Sequence, residues 1–415
     1  MIIKRDYYLQ QLISSKSNNL IKIVTGIRRS GKSFLLFNLF HNHLIETGIS
    51  EDHIIEIALD DRLNKNLRDP DVILQHIHER IVDDKLYYII LDEVQMIDEF
   101  TDVLNSLLHI RNADVYVTGS NSRFLSKDVV TEFRGRGDEI HLFPLSFAEL
   151  YNSVGGDKFD LWKSYYTYGG LPGILELDSD KKKAAYLRSL HETVYLKDII
   201  ERNNLKNSEE FMELMRVMAL CIGSPCNPSK LENTFKSVKN EPLDRKTISK
   251  YLSYMEDAFL IEKSMRYDIK GRKYIGTLSK YYFQDIGLRN ALLNFRQVEE
   301  NHIMENVIYN ELRLRGFCVD VGMVEARTAK ERKQLEMDFV ANMADRRYYI
   351  QSAFAMPDDA KNMVGDLTFP NFLGNVSTYF PHFPHYLLLA KKHKRLIVNP
   401  YHFSSSFWHA DCDYE

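Results

Sequence analysis

The chain has 415 residues, 44% hydrophobic and 27% charged, with a formal net charge of −4. This is the make-up of a globular protein of about three domains, not of a fibrous or disordered chain. No apolar run reaches the ~20 residues of a membrane-spanning helix, and the near-neutral charge excludes a global nucleic-acid signature, so any such site is local.

The N-terminal "MIIKRDYYLQ" lacks the long apolar core of a signal peptide. The four cysteines, Cys221, Cys226, Cys318 and Cys412, form no Cys-x-x-Cys pair. They suggest no zinc site and fit a reducing, cytoplasmic setting.

The first element in chain order is a buried strand, "LIKIVT" (Leu20–Thr25), followed by "GIRRSGKS" and then by "KSFLLFNLFHNHLIE", apolar at helical spacing. The loop fits G-x-x-x-x-G-K-[ST] at every fixed position. Gly26 and Gly31 let the backbone curl so that its N–H groups face phosphate oxygens. Lys32 then reaches the β- and γ-phosphates, and the Ser33 hydroxyl ligates Mg²⁺. The expected nucleotide contacts are Gly26, Ile27, Arg28, Arg29, Ser30, Gly31, Lys32, Ser33 and Phe34, backed by a helix N-terminus.

Strands and helices keep alternating: "HIIEIALD" (His53–Asp60), a helix from Pro70 to about Val82, "LYYIILDE" (Leu86–Glu93), a helix around Phe100–His109, "ADVYVTGS" (Ala113–Ser120) and "EIHLF" (Glu139–Phe143). This order predicts a mainly parallel α/β sheet with helices on both faces. "YYIILDE" puts Asp92 and Glu93 at the C-terminal end of a buried strand, where open α/β sheets bind ligands. Asp92 is the expected Mg²⁺ partner and Glu93 the residue that activates the attacking water. After the fourth strand, Ser120 or Asn121 can place a polar side chain between the carboxylates and the γ-phosphate, though Gly-Ser-Asn also suits an ordinary turn. Arg134 and Arg136 precede the fifth strand, as an arginine finger toward a neighbouring subunit or as a solvated basic turn.

"GIRRSGKS", "LDE", "TGSNS" and "FRGRG" in this strand order resemble the AAA+ superfamily of ATPases. More narrowly, the chain resembles a prokaryotic group of AAA+-like ATPases that join the core to a winged-helix segment and a C-terminal restriction-endonuclease-like domain. "FPLSFAELY" (Phe143–Tyr151) and "YGGLPGIL" (Tyr168–Leu175) are similar to that group's link and lid signatures. The resemblance implies an ATPase using ATP and Mg²⁺, with Ser120 or Asn121 as a polar sensor and Arg134 or Arg136 as a finger in a homo-oligomer. "GGLPGIL" also resembles the Gly-Leu-Pro motif of signalling NTPases, which gives Pro172 a nucleotide-facing role; Gly-Gly and Pro would equally make a plain loop. The implied organisation is an ATPase core over 1–148, a helical lid over 149–205, a winged helix–turn–helix over 206–278 and a degenerate endonuclease-like domain over 279–415.

In the middle, "SEEFMELMRVMALCIGS", "NPSKLENTFKSV" and "DRKTISKYLSYMEDAFLIEKS" read as three helices, with Asn227 and Asp244 as N-caps. "RYDIKGRKYI" follows as a basic hairpin, completing a resemblance to a winged helix. Residues 230–280 hold twelve lysines and arginines against seven aspartates and glutamates. Arg245, Lys246, Ser249 and Lys250 open the third helix, where a recognition helix would meet duplex DNA; a solvated face or a protein-docking surface fits the same charge.

"ENVIYNELRLRGF" reads as a helix, "LEMDFVAN" and "RRYYIQSAF" as consecutive strands, and "YLLLAK" as a late strand. The layout resembles an endonuclease site with Asp338 in the first position. Gln351-Ser352-Ala353 stand where Glu-x-Lys is needed, so the domain is expected to have lost its metal ligand and its lysine and not to cut DNA. The His382/His385 pair has no ligand cluster around it in the sequence. The leading expectation is an ATPase that couples nucleotide state to DNA or protein binding. The competing one is a slow nucleotide-gated switch, and a small-molecule kinase lacks a second substrate pocket.

Overall fold

The computed structural model describes residues 3–119, 136–239, 243–269, 271–296, 300–327, 332–353 and 386–391. Ser120, Asn121, Arg134, His382 and His385 lie outside the described residues.

Five parallel strands form the first sheet: β1 (Ile21–Thr25), β2 (Ile54–Ala58), β3 (Tyr87–Asp92), β4 (Ala113–Thr118) and β5 (Gly137–His141), in the order β2-β3-β4-β1-β5. β1 and β3 are buried at every position, as a sheet covered on both faces requires. The strands expected from sequence are all present. β4 lies between β1 and β3, so the phosphate-loop strand and the acidic strand flank a common neighbour. The helix after the loop runs through Lys32–Phe34, Leu35–Phe40 and His41–Glu46, its middle segment π-wound. The Pro70–Arg80 helix is capped by Asp69, whose carboxylate accepts from the Asp71 and Val72 N–H groups.

Lys22, on β1, is fully buried. Its ammonium pairs with Asp114 on β4, and the Tyr116 hydroxyl donates to the same carboxylate (2.8 Å). A buried charge is tolerated only when it is paired in this way.

The chain then turns helical: Phe147–Val154, opened by a capping box from Ser146 and Glu149, Lys158–Tyr168, and a long run through Asp180–Leu190, His191–Leu196 and Lys197–Asn203. Three further helices follow, Ser208–Leu220, Pro228–Lys239 and Arg245–Asp257. Asp244 caps the last (Lys246 N–H, 2.7 Å), and Asn227 accepts from the Lys230 N–H (2.7 Å). The third helix stops at Asp257, short of the expected Ser264. Phe259 takes a left-handed φ of 53°, and the Leu260 N–H bonds back to the Met255 carbonyl (2.9 Å), which closes the helix end. "IEKS" instead opens β6.

β6 (Ile261–Asp268) and β7 (Lys273–Phe283) form the expected hairpin. It does not stand apart from the C-terminal region. With β8 (Cys318–Arg327), β9 (Arg332–Met343), β10 (Arg346–Ala353) and β11 (Tyr386–Lys391) it makes a six-stranded mixed sheet in the order β11-β10-β9-β8-β6-β7. Arg266, Tyr267 and Asp268 pair in parallel with Val321, Gly322 and Met323. The division expected after residue 278 falls inside β7, because pairing on β6 extends the sheet across it. The helix Glu300–Leu314 packs on this sheet.

Asp114→Ala leaves the Lys22 ammonium buried and unpaired. Urea denaturation is expected to show a loss of about 3–5 kcal/mol; a loss near zero would mean that the ion pair is solvated.

Candidate functional site

The site lies at the C-terminal ends of β1, β3 and β4. Gly26 leaves β1 with φ 137°, and a Cβ there would collide with the Leu142 carbonyl oxygen, so the tight exit needs glycine. Gly31, φ 98°, precedes the helix, and its α-carbon faces the Pro172 ring: a Cβ there would meet Pro172 Cγ at 3.8 Å. Pro172 therefore sits beside the loop.

Lys32 is buried, and its ammonium donates to the Gly26 (3.0 Å) and Ile27 (3.2 Å) carbonyls. Burial pulls its pKa down to about 8, opposed by the charges of Glu93 and Asp92. The Ser33 hydroxyl donates to Asp92 Oδ2 (2.7 Å). Burial raises the Asp92 pKa, while hydrogen bonds from Thr118 and Ser33 lower it. Ser30 is fully buried, and its hydroxyl has no partner among the described residues.

Glu93 follows Asp92 in a left-handed conformation, φ 53°. This swings its side chain off the strand axis, and its Oε2 accepts from the Gln95 amide. Arg28 pairs with Asp198 (3.5 Å), and its carbonyl accepts from the Tyr195 hydroxyl (2.6 Å). Arg29 and Phe34 are exposed, whereas Ile27 is fully buried among Leu171, Ile174, Leu187 and Tyr195. The loop is thus gripped from the helical side.

Arg136 is exposed at the start of β5, its carbonyl bonded to the Ile21 N–H (2.9 Å). Gly137 pairs with Ile21, so Arg136 sits at the opposite end of β1 from the loop. Five strand residues separate them, roughly 16 Å, beyond the reach of an arginine side chain.

Thr118 was not singled out from the sequence. Its hydroxyl donates to Asp92, and its oxygen accepts from the Glu93 N–H (2.9 Å). A polar β-branched residue closing the strand beside "LDE" was the available signal.

A hydrogen-bonded path leaves the back of the site. The Thr25 hydroxyl donates to Glu139 (2.8 Å) and lies 3.0 Å from His141 Nδ1; His141 Nε2 is 3.1 Å from the Gln284 amide nitrogen. The hydroxyl has one proton, so His141 donates through Nδ1 and accepts the Gln284 amide at Nε2. Burial pushes the His141 pKa down to about 4, keeping it neutral. The next residue, Asp285, accepts from the Gly170 N–H (2.8 Å) and caps the helix Ile286–Leu292.

In the C-terminal sheet, Asp338 accepts from Gln351 Nε2 (2.7 Å), the Ser352 N–H (2.7 Å) and the Ser352 hydroxyl (3.0 Å). A lysine from another strand lies close enough to Asp338 for its charge to lower that carboxyl's pKa against burial. Lys280, from β7, is buried between Glu305 (2.8 Å) and Glu336 (2.7 Å). Burial raises the Glu305 pKa to about 7 against the pull of Lys280. Both carboxylates hold this ammonium, while Gln351 and Ala353 carry neither the carboxylate nor the lysine of Glu-x-Lys.

The exposed face of the helix Arg245–Asp257 carries Arg245, Lys246, Ser249 and Lys250 together. Among the described residues, no helix is long and apolar enough to cross a membrane.

A family model described as an AAA domain matches residues 18–151. An uncharacterized protein of Haemophilus influenzae is 34% identical over 365 residues, 86% of this chain and 88% of that one. The chain belongs to the AAA family of P-loop ATPases. A second relative, an uncharacterized protein of Methanocaldococcus jannaschii, is 28% identical over 378 residues, 87% of this chain and 79% of its own length. A domain of unknown function matches residues 159–299, which spans the helical stretch up to Asp257 and the β6–β7 hairpin of this AAA chain. Similar solved structures include Cdc6p from Pyrobaculum aerophilum (13% identity, 74% of this chain and 96% of that one, TM-score 0.31). An Hsp104–ADP complex from S. cerevisiae is another (13% identity, 76% and 43%, TM-score 0.32). At these scores the likeness carries no functional argument.

Thr118→Val removes a donor to Asp92 and the acceptor of the Glu93 N–H. Chemical denaturation is expected to show a loss of about 1–3 kcal/mol; unchanged stability would mean that water replaces the hydroxyl without cost.

Proposed function

We propose that the chain binds ATP with Mg²⁺ at Gly26–Ser33, hydrolyses it, and couples the nucleotide state to duplex DNA held by the basic helix. The observation that carries the ATP reading is the contact between Ser33 and Asp92 beneath a loop that encloses a desolvated lysine. Two hard oxygen donors at one point fit Mg²⁺, and the orphan Ser30 hydroxyl fits a polar ligand in the loop. When bound, Mg²⁺ neutralises charge on the β- and γ-phosphate oxygens.

In this reading Lys32 exchanges the Gly26 and Ile27 carbonyls for phosphate oxygens. Glu93, turned off the strand, takes the proton of the attacking water. Pro172 closes over the nucleotide. Thr118 holds Asp92 and the Glu93 backbone in place; Ser120 or Asn121 is the further polar sensor. Arg136, too far from its own loop, serves the loop of a second copy, as Arg134 would, and the working form is a homo-oligomer. Arg245, Lys246 and Lys250 take DNA phosphates, and the chain works in the cytoplasm.

A slow switch is the second reading, favoured by the burial of Ile27 in the helical core and the place of Pro172 beside Gly31. The rate of phosphate release separates the two.

Lys32→Ala is expected to abolish ATP binding, and Glu93→Gln to bind ATP normally and release no phosphate; full turnover by the latter would falsify the role of Glu93. Because the ammonium is the binding form, affinity holds below pH 8 and falls as pH rises through about 8, by up to tenfold per pH unit. Calorimetry from pH 7 to 9.5 reads this directly; a flat profile means that Lys32 does not contact phosphate.

Arg136→Ala mixed with Lys32→Ala is expected to regain phosphate release that neither shows alone, since each subunit supplies what the other lacks. Absence of rescue, with activity independent of protein concentration, would leave the arginine without a partner subunit.

Lys246→Glu with Lys250→Glu is expected to weaken binding to any duplex about equally and to flatten its salt dependence. Unchanged affinity in fluorescence anisotropy would transfer this face to a protein partner.

A further inference from the structure

Thr25 is the last residue of β1, and Gly26 opens the phosphate loop directly after it. The Thr25 carbonyl accepts from the Leu142 N–H (2.8 Å), and the Leu142 carbonyl is the wall that Gly26 passes. His141 precedes Leu142 and pairs with Thr25 in register. Its Nδ1 lies 3.0 Å from the Thr25 hydroxyl. The exit of the loop is therefore set by His141 and the residue after it.

His141 also touches elements far from the loop in sequence. Its ring is tilted against the Phe259 ring, centroids 4.8 Å apart, and meets Phe143 edge-on at 4.5 Å. Phe259 is the left-handed residue that closes the basic helix. Its N–H bonds the Glu256 carbonyl (2.9 Å), and the Leu260 N–H bonds Met255 (2.9 Å). Gln284, directly after β7, completes the junction. Its side-chain nitrogen is 3.1 Å from His141 Nε2, and its backbone N–H donates to the Leu260 carbonyl (3.1 Å). One imidazole thus contacts the strand of the loop, the end of the basic helix and the end of β7.

We propose that His141 is a positioning residue through which the phosphate loop and the C-terminal end of the basic helix sense each other. This role rests on ATP binding at the loop. There Lys32 leaves the Gly26 carbonyl for phosphate, and the peptide it releases follows Thr25. A Thr25 side chain that shifts with that peptide carries the imidazole with it. The ring's other nitrogen is held by Gln284 and its face by Phe259, so the shift passes to both.

A second route runs through apolar contacts, because Ile27 and Phe259 belong to one buried cluster. Chemistry separates the two. His141→Phe keeps a ring beside Phe143 and Phe259 but removes both hydrogen bonds. Gln284→Met removes the amide at similar length and leaves the loop's own contacts in place. Neither change touches Ile27.

Hydrogen–deuterium exchange is measured on the full-length protein and both variants, with ATP binding read by calorimetry in each. Saturating ATP with Mg²⁺ is expected to slow exchange at Phe259, Leu260 and Gln284 of the wild type by at least about fivefold. His141→Phe is expected to bind ATP about 2- to 10-fold more weakly. At saturation both variants are expected to show no ATP-dependent change at the helix-end amides. A side chain that only fills space would leave that change in place. Gln284→Met reaches the ring from the far side and carries the test alone if His141→Phe does not fold. Protection that persists in the variants would assign the coupling to the apolar cluster and overturn the proposal. So would a wild type that binds ATP with no change at the helix end. A wild type that binds no ATP is a separate failure, seen in the calorimetry: it removes the ATP reading, and the role of His141 with it.

Discussion

The structure depends on how the phosphate loop is clamped. On one side Gly26 passes so close to the Leu142 carbonyl that no side chain fits. On the other, Ile27 enters the same apolar cluster as Leu171, Leu187, Tyr195, Phe211 and Ile248, and is fully buried there. A loop exposed to solvent would lose its fixed curvature to entropy. Here burial of one isoleucine and the bond from the Tyr195 hydroxyl to the Arg28 carbonyl hold the loop's curve. The same contacts put the helices Asp180–Leu190 and Ser208–Leu220 in one apolar core with the loop.

Buried charge is the second organising constraint, and several buried cations meet it by pairing with carboxylates. Lys22 has Asp114, Lys280 has Glu305 and Glu336, and Arg5 pairs with Glu149 (2.9 Å) while donating to the Phe143 carbonyl (2.7 Å). Lys32 differs, since among the described residues its ammonium rests on two carbonyls and pairs with no carboxylate, and burial lowers its pKa. A cation held this way gains most from an incoming polyanion. Behind it, Thr25, His141, Gln284 and Asp285 join the loop's strand to Gly170 and the end of β7 through neutral hydrogen bonds and one buried carboxylate.

Local chemistry made the first half of the chain legible. Strand, glycine loop and helix occur in order, and "YYIILDE" is a buried strand ending in two acids, so the core and Asp92 could be placed from sequence. Pro172 was reached only by resemblance, and the structure supplies its contact with Gly31. Thr118 was passed over because a threonine at a strand end looks like any β-branched residue until β3 and β4 are paired. Lys280 was invisible because its partners Glu305 and Glu336 lie on a later helix and strand. "AFLIEKS" was read as helix because its apolar spacing suits either state; only the left-handed Phe259 and pairing with β7 and β8 decide for a strand. In each case a long-range contact made the decision.

Hydrogen–deuterium exchange with and without Mg²⁺ and ATP tests the coupling of loop to lid most directly. ATP is expected to slow exchange in the loop and also in the helical run from Asp180 to Asn203, through Tyr195 and Ile27, and to leave both unchanged in Lys32→Ala. Protection confined to the loop, with the lid helices exchanging as before, would contradict the account.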